Sequence, residues 1–162
     1  MPDTLAVDRV DAATLALFAE EPRIGVLEAS RRLRLARGTV QARLDKLASR
    51  GVVVGWGPDV DPSRLGFPVT AFVTLEIAQT GHDDIGVRLA EIPEVLEVHT
   101  ITGNGDLLCR VVARSNAALQ RVIDQVVSTD GVGRTSTVIA LATRVGHRVM
   151  PLVHAAAESG EI

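Results

Sequence analysis

Cysteine is nearly absent from this chain: Cys109 is the single one in 162 residues. One thiol builds neither an internal disulfide framework nor a cysteine-based zinc site, and so sparse a use of cysteine fits a reducing compartment, so the expected location is the cytoplasm. Long apolar runs are missing too. No stretch approaches the roughly 20 residues that a membrane span requires, and the first twenty residues lack the basic start and apolar core of a signal peptide. A general excess of positive charge is absent: the net charge is −3, with an isoelectric point near 5.8, which argues against a nucleic-acid coat protein. The four histidines, His82, His99, His147 and His154, are dispersed. None stands at metal-ligand spacing or at motif distance from a serine, cysteine or carboxylate partner, so no metal site, catalytic constellation or cofactor is expected. His99 alternates with strand neighbours and Cys109 lies in an apolar strand, where both are expected to pack.

What the chain does have is 46% hydrophobic residues, enough for a real core in one large or two small domains. The stretch from Arg23 to Val54 holds two short helical patterns, a glycine stop and a β-branched run. In the second pattern Val40, Leu44 and Leu47 recur at i, i+4 and i+7, which leaves Arg37, Gln41, Arg43, Lys46 and Arg50 mostly on the other faces. The first pattern offers an inner face of Leu27, Ala29 or Ser30, and Leu33. Helices this short need a third partner, which Leu15, Phe18 and Ala19 supply from a helix over 12–20. Asp8 or Asp11 is placed to cap that helix, Gly51 suits the residue after a helix end, and 51–56 reads as a strand. Trp56 is expected to pack rather than to stack on a base.

Charge separates this three-helix unit from a generic one. From Arg23 to Arg50 there are eight Lys or Arg against Glu28 and Asp45, a balance of +6; from Asp61 onward there are eight basic against twelve acidic residues, a balance of −4. Affinity for DNA phosphates follows such local charge rather than the overall sum, and the arrangement reads as a DNA-binding helix-turn-helix. In that motif the start of the second helix faces base edges, which nominates Arg37, Gly38, Thr39 and Gln41. Arg31, Arg34, Arg43 and Lys46 are then phosphate contacts.

The segment GPDVDPSRLGFP, with three prolines and two glycines, reads as a linker. Beyond it Val69, Ala71, Val73, Leu75 and Ile77 alternate as one strand face, and 82–91 reads as a helix with Ile85, Leu89 and Ile92 inward. Strands over 95–102 and 106–113 are separated by Gly103, Asn104 and Gly105 as a hairpin. Ser115 or Asn116 caps a helix to Val127 that buries Leu119, Val122, Ile123 and Val126, and a last strand runs from Arg134 to Leu141. This order is the ferredoxin-like βαββαβ arrangement. The expected fold is therefore α+β, with a helix-turn-helix domain over 1–56, a linker over 57–68 and a ferredoxin-like domain over 69–162. After Val145 a peripheral strand or short helix and a loose tail are expected.

Five segments, Asp8 to Asp11, Leu47 to Val54, Asp61 to Pro68, Ile92 to Val98 and Thr102 to Asp106, together resemble the Lrp/AsnC family of leucine-responsive, or feast/famine, transcription regulators. The resemblance covers roughly Val7 to Leu141. It implies double-stranded DNA as partner, homodimers that gather into larger assemblies such as octamers, and a small effector, usually an amino acid, bound by the C-terminal domain. It places Thr102, Gly103, Asn104, Gly105 and Asp106 in the effector site. Glycines let backbone N–H groups approach a carboxylate, and Asp106 offers a seat for an α-ammonium group. Two departures stand out. Family members often carry an aromatic residue just before the aspartate, where this chain has Gly105. The turn before the recognition helix commonly reads Gly, apolar, Ser, where this chain has Arg34, Leu35, Ala36, so a helix cap worth about 1 kcal/mol is lost unless Thr39 or a shifted start replaces it. The readings that compete are a metabolite-sensing oligomeric binding protein and a small enzyme on a ferredoxin-like scaffold; fold alone does not decide among them.

Overall fold

The computed structural model describes residues 7–78 and 84–159. The chain forms two compact units. One runs up to Asp59 and takes in the segment from Gly146 onward; the other spans Val60–Val145.

The first unit holds α1 (Arg9–Glu20), α2 (Val26–Leu33), α3 (Arg37–Ser49) and α6 (Met150–Ser159), the last arriving from the far end of the chain. Helix α1 starts in a capping box: Asp8 accepts from the Asp11 N–H at 2.7 Å, and the Asp11 carboxylate accepts in return from the Asp8 N–H at 3.3 Å. Helices α1, α2 and α3 close around Ala29, Val40 and Leu44, with Leu17, Phe18, Leu33 and Leu35 packed alongside, and Leu47 is fully buried. The i, i+4, i+7 stripe of α3 is thus the buried one. Ser30 is buried and its hydroxyl donates to the Leu27 carbonyl, but Leu27 itself, expected inward, is half exposed.

Helix α3 ends in a Schellman turn. Gly51 sits at φ +72°, its N–H donates to Ala48 O at 3.0 Å, and the Val52 N–H donates to Leu47 O at 2.9 Å. The strand expected over 51–56 does not form. Those residues make a turn and then an extended segment without a sheet partner, and Val54 is almost fully exposed. Trp56 packs edge-on against Phe18, with ring centroids 5.8 Å apart. Of the strand or short helix expected after Val145, the helix forms, but α6 belongs with the first unit rather than the sheet domain and lays Val153 and Ala157 against Val7 and Ala12 beside α1.

The second unit opens with a short 3₁₀ turn at Pro62–Leu65, capped by Asp61, whose carboxylate accepts from the Ser63 N–H at 2.9 Å. It continues as β1 (Val69–Ile77), α4 (Ile85–Ala90), β2 (Val95–Thr100), β3 (Leu107–Ala113), α5 (Asn116–Val127) and β4 (Val132–Ala140). The sheet order is β2-β3-β1-β4 and every neighbouring pair is antiparallel, the ferredoxin-like topology. The expected helix over 82–91 is observed from Ile85; positions 82 and 83 lie outside the described residues. Ala71, Val73 and Leu75 of β1 and Cys109 and Val111 of β3 form one inner face, against which Ile85 and Leu89 of α4 and Leu119, Val122 and Val126 of α5 are buried. Ser115 caps α5 by accepting from the Ala118 N–H at 3.1 Å.

Candidate nucleic-acid interface and effector cleft

The turn between α2 and α3 decides what α3 presents. Arg34 ends α2 in the left-handed conformation, φ 55° and ψ 41°, a place that glycine fills without strain. The Leu35 N–H donates to Ser30 O at 2.9 Å and the Arg34 N–H to Arg31 O at 3.2 Å, the same closure that Gly51 gives α3. Ala36 then caps α3 with no side-chain hydrogen bond, and Thr39 does not replace the missing serine. The first turn of α3, Arg37, Gly38 and Thr39, is exposed, as are Gln41 and Lys46. Among the described residues, Arg34, Arg37 and Lys46 carry no ion pair.

Other cations of the stretch are already engaged. Arg32 pairs with Glu21 and Glu28, and Arg31 lies 3.5 Å from Glu28 while staying largely exposed. Arg43, expected at a phosphate, is held within the protein by two carboxylates. Its Nη1 lies 2.7 Å from Asp8 Oδ2 and 2.6 Å from Asp11 Oδ1, so its guanidinium ties α3 to the start of α1. The charge count alone could not reveal this, because the partners lie more than thirty residues away.

In the sheet unit a cleft of about 750 Å³ opens beside the β2–β3 hairpin. Gly103, Asn104, Gly105 and Asp106 line it from the hairpin, Thr74 and Glu76 from β1, and Arg134 and Ser136 from β4. Thr102, expected with this group, is exposed but is not part of the lining. Sequence reasoning missed Glu76 and Arg134, although Glu76 alternates with the buried residues of β1, and the pairing Thr74↔Ser136 brings β4 with Arg134 alongside it.

Asp106 is first a structural residue. Its Oδ2 accepts from the Ile77 N–H at 2.7 Å, its own N–H donates to Leu75 O at 2.8 Å, and its carbonyl accepts from the Ile101 N–H at 2.9 Å. It therefore pins the hairpin to β1 where the β1–β4 register shifts between Leu75 and Ile77. Gly105 has φ +113°, and a Cβ there would stand 2.4 Å from Thr74 Cγ2 and 3.1 Å from Leu75 O. A side chain there is strained by its backbone conformation and has to displace the Thr74 methyl. Away from the cleft, burial pushes the Cys109 thiol up to about 11, so it is an inert packing group.

Residues 7–54 match a winged helix-turn-helix DNA-binding domain and residues 70–150 match the Lrp/AsnC ligand binding domain, in that order along the chain. The chain belongs to the Lrp/AsnC family. It is a transcriptional regulator with a helix-turn-helix and a ligand-binding domain of this family. It is 26% identical to the HTH-type transcriptional regulator FL11 of Pyrococcus horikoshii, across 90% of this chain and 97% of that one. Its fold matches the M. tuberculosis feast or famine regulatory protein complexed with L-methionine with a TM-score of 0.78, at 30% identity over 88% of this chain and 97% of that one. A transcriptional regulator from Neisseria meningitidis, also complexed with L-methionine, matches with a TM-score of 0.80, at 26% identity over 94% and 99%.

Proposed function

We propose that this Lrp/AsnC protein recognises particular duplex DNA sequences through the first turn of α3, and that an amino acid held beside Gly103–Asp106 alters that binding. The observation that carries the DNA reading is the exposed, ion-pair-free set of Arg34 and Arg37 at the uncapped start of α3 and Lys46 in its last turn. In this reading Arg37, Gly38, Thr39 and Gln41 meet base edges, and Arg31, Arg34 and Lys46 meet phosphates. Retardation of a duplex selected by the wild-type chain from a random pool tests the division. Arg37→Ala relaxes sequence preference, whereas Lys46→Ala weakens all duplexes alike and lowers the salt slope by about one. Wild-type behaviour in both variants sinks it.

The effector reading is supported by the chemistry around the cleft and by the two L-methionine complexes among similar structures. An amino acid carries a carboxylate and an ammonium. Arg134 suits the first; Glu76 and the second oxygen of Asp106 suit the second. We read the chain as a non-enzyme that works as a homodimer and in larger assemblies, up to an octamer. The effector then changes how dimers are spaced, and so how successive α3 helices meet grooves about 34 Å apart. A thermal-shift screen of the twenty amino acids, with sedimentation and DNA retardation for each that raises the melting temperature, tests this. No shift with any of them removes the effector reading.

A further inference from the structure

We propose that Asp45 is a specificity-determining residue, which sets the edge of Gln41 that meets the DNA. The inference rests on the DNA-binding reading above and names a determinant within it. Gln41 and Asp45 are one turn apart on α3, both exposed, and Gln41 Nε2 donates to Asp45 Oδ1 at 2.8 Å. A carboxylate only accepts hydrogen bonds, so the pairing decides which end of the amide turns toward Asp45: the NH₂ end. The terminal torsion of glutamine is otherwise broad and roughly two-fold, and a free Gln41 would present its oxygen and nitrogen in either order. Held by Asp45, one N–H is taken, while Oε1 and the second N–H remain available. An acceptor beside a donor is the complement of adenine, which shows an N6–H₂ donor next to the N7 acceptor in the major groove. The flipped amide would suit other bases, so fixing the order converts a permissive side chain into a selective one.

Two further observations point the same way. Asp45 is one of two acidic residues in a stretch with a balance of +6, and its hydrogen-bond partner is Gln41 rather than a cation. A negative group on this face repels phosphate and lowers affinity, so a face shaped for affinity alone would not carry it. The exposed flank beside the pair is cleared of bulk: Gly38 and Ala42 lie there, and a Cβ added at Gly38 would meet nothing within 4 Å. Small residues let the helix approach the groove closely, within reach of a side chain of Gln41's length.

The test uses the full chain. A duplex is selected from a random pool by the wild type, and each of its base pairs is then substituted in turn. Dissociation constants are measured by retardation for the wild type, Gln41→Ala, Asp45→Ala, Asp45→Asn and the double variant Gln41→Ala with Asp45→Ala. The wild type should show an adenine whose replacement costs roughly tenfold. Gln41→Ala abolishes that preference. Asp45→Asn, which keeps size but offers both donor and acceptor, cuts the preference to about threefold or less. Asp45→Ala does the same and also binds unselected duplex more tightly, since one repulsive charge is gone. The double variant is no worse at that position than Gln41→Ala alone. A full tenfold preference retained in both Asp45 variants, or losses that add in the double variant, overturns the proposal while leaving DNA binding intact. A wild type that selects no duplex overturns the DNA-binding reading itself and this inference with it. Far-UV circular dichroism of each variant excludes unfolding as the cause of a loss.

Discussion

Arg43 Nη1 lies 2.6 Å from Asp11 Oδ1, a bond between residues 32 apart in sequence, and the Asp11 side chain is only 2% exposed. The recognition helix is therefore fixed to the first helix by a charge pair with one partner nearly dry. Removing one side of such a pair strands the other, at a cost on the order of 3 kcal/mol. Arg43→Met should lower the urea midpoint accordingly, whereas Arg31→Met, whose carboxylate partner is half exposed, should move it by well under about 1 kcal/mol. Equal effects would contradict the anchoring role.

Acid should act on the same anchor. Partial burial pushes the Asp8 carboxyl up, but the Asp11 N–H and the Arg43 guanidinium outweigh it and hold the pKa below the ordinary value of 3.8. A depressed folded pKa gives stability that is complete above the unfolded value and is lost as pH falls through the folded one. Asp8→Asn keeps a competent cap but not the charge. The melting-temperature gap between wild type and this variant should thus be steady at neutral pH and close as pH drops below about 4. A gap of constant size down to pH 2 would refute it.

The α2–α3 turn stores strain that two substitutions release. Arg34→Gly removes a left-handed non-glycine residue and should stabilise by about 1 kcal/mol, and Ala36→Ser supplies the missing cap for a gain of similar size, about 1 kcal/mol. In retardation assays only Arg34→Gly should weaken binding to every duplex.

Gly103 and Gly105 both have positive φ but differ in surroundings. A Cβ at 103 meets nothing within 4 Å, while one at 105 collides with Thr74. Gly103→Ala should cost about 1 kcal/mol and Gly105→Ala about 2–3 kcal/mol. Adding Thr74→Ser, which deletes the offending methyl, should return part of the loss in thermal melts.

Cys109 should stay unreactive toward a disulfide reagent at pH 8 in the folded chain and react fully in denaturant, because the side chain is fully buried and its thiol is pushed to about 11. Rapid labelling of the folded chain would contradict this.

Where periodicity and burial coincide, the fold was legible. The Val40, Leu44, Leu47 stripe, the alternation of β1 and the Ser115 cap are local signals with local outcomes. The failures share a cause, which is dependence on distant partners. Val52 to Val54 is β-branched and reads as a strand, yet a strand requires a neighbour to pair with, and none is supplied. Arg43 looks like any other cation of α3 until Asp8 and Asp11 are brought beside it. Of the cleft, the hairpin glycines and Asp106 were visible as turn residues, whereas Glu76 and Arg134 join them only through the register of β1 with β4. Leu27 shows the limit of stripe reading in an eight-residue helix, where one turn decides what faces in.

Helix α6 lays Val153 and Ala157 on the apolar side of α1, so the DNA-binding unit is finished by residues synthesised after the entire sheet unit. During translation the Ala12 flank of the reading head stays uncovered until α6, which follows the entire sheet unit, has emerged.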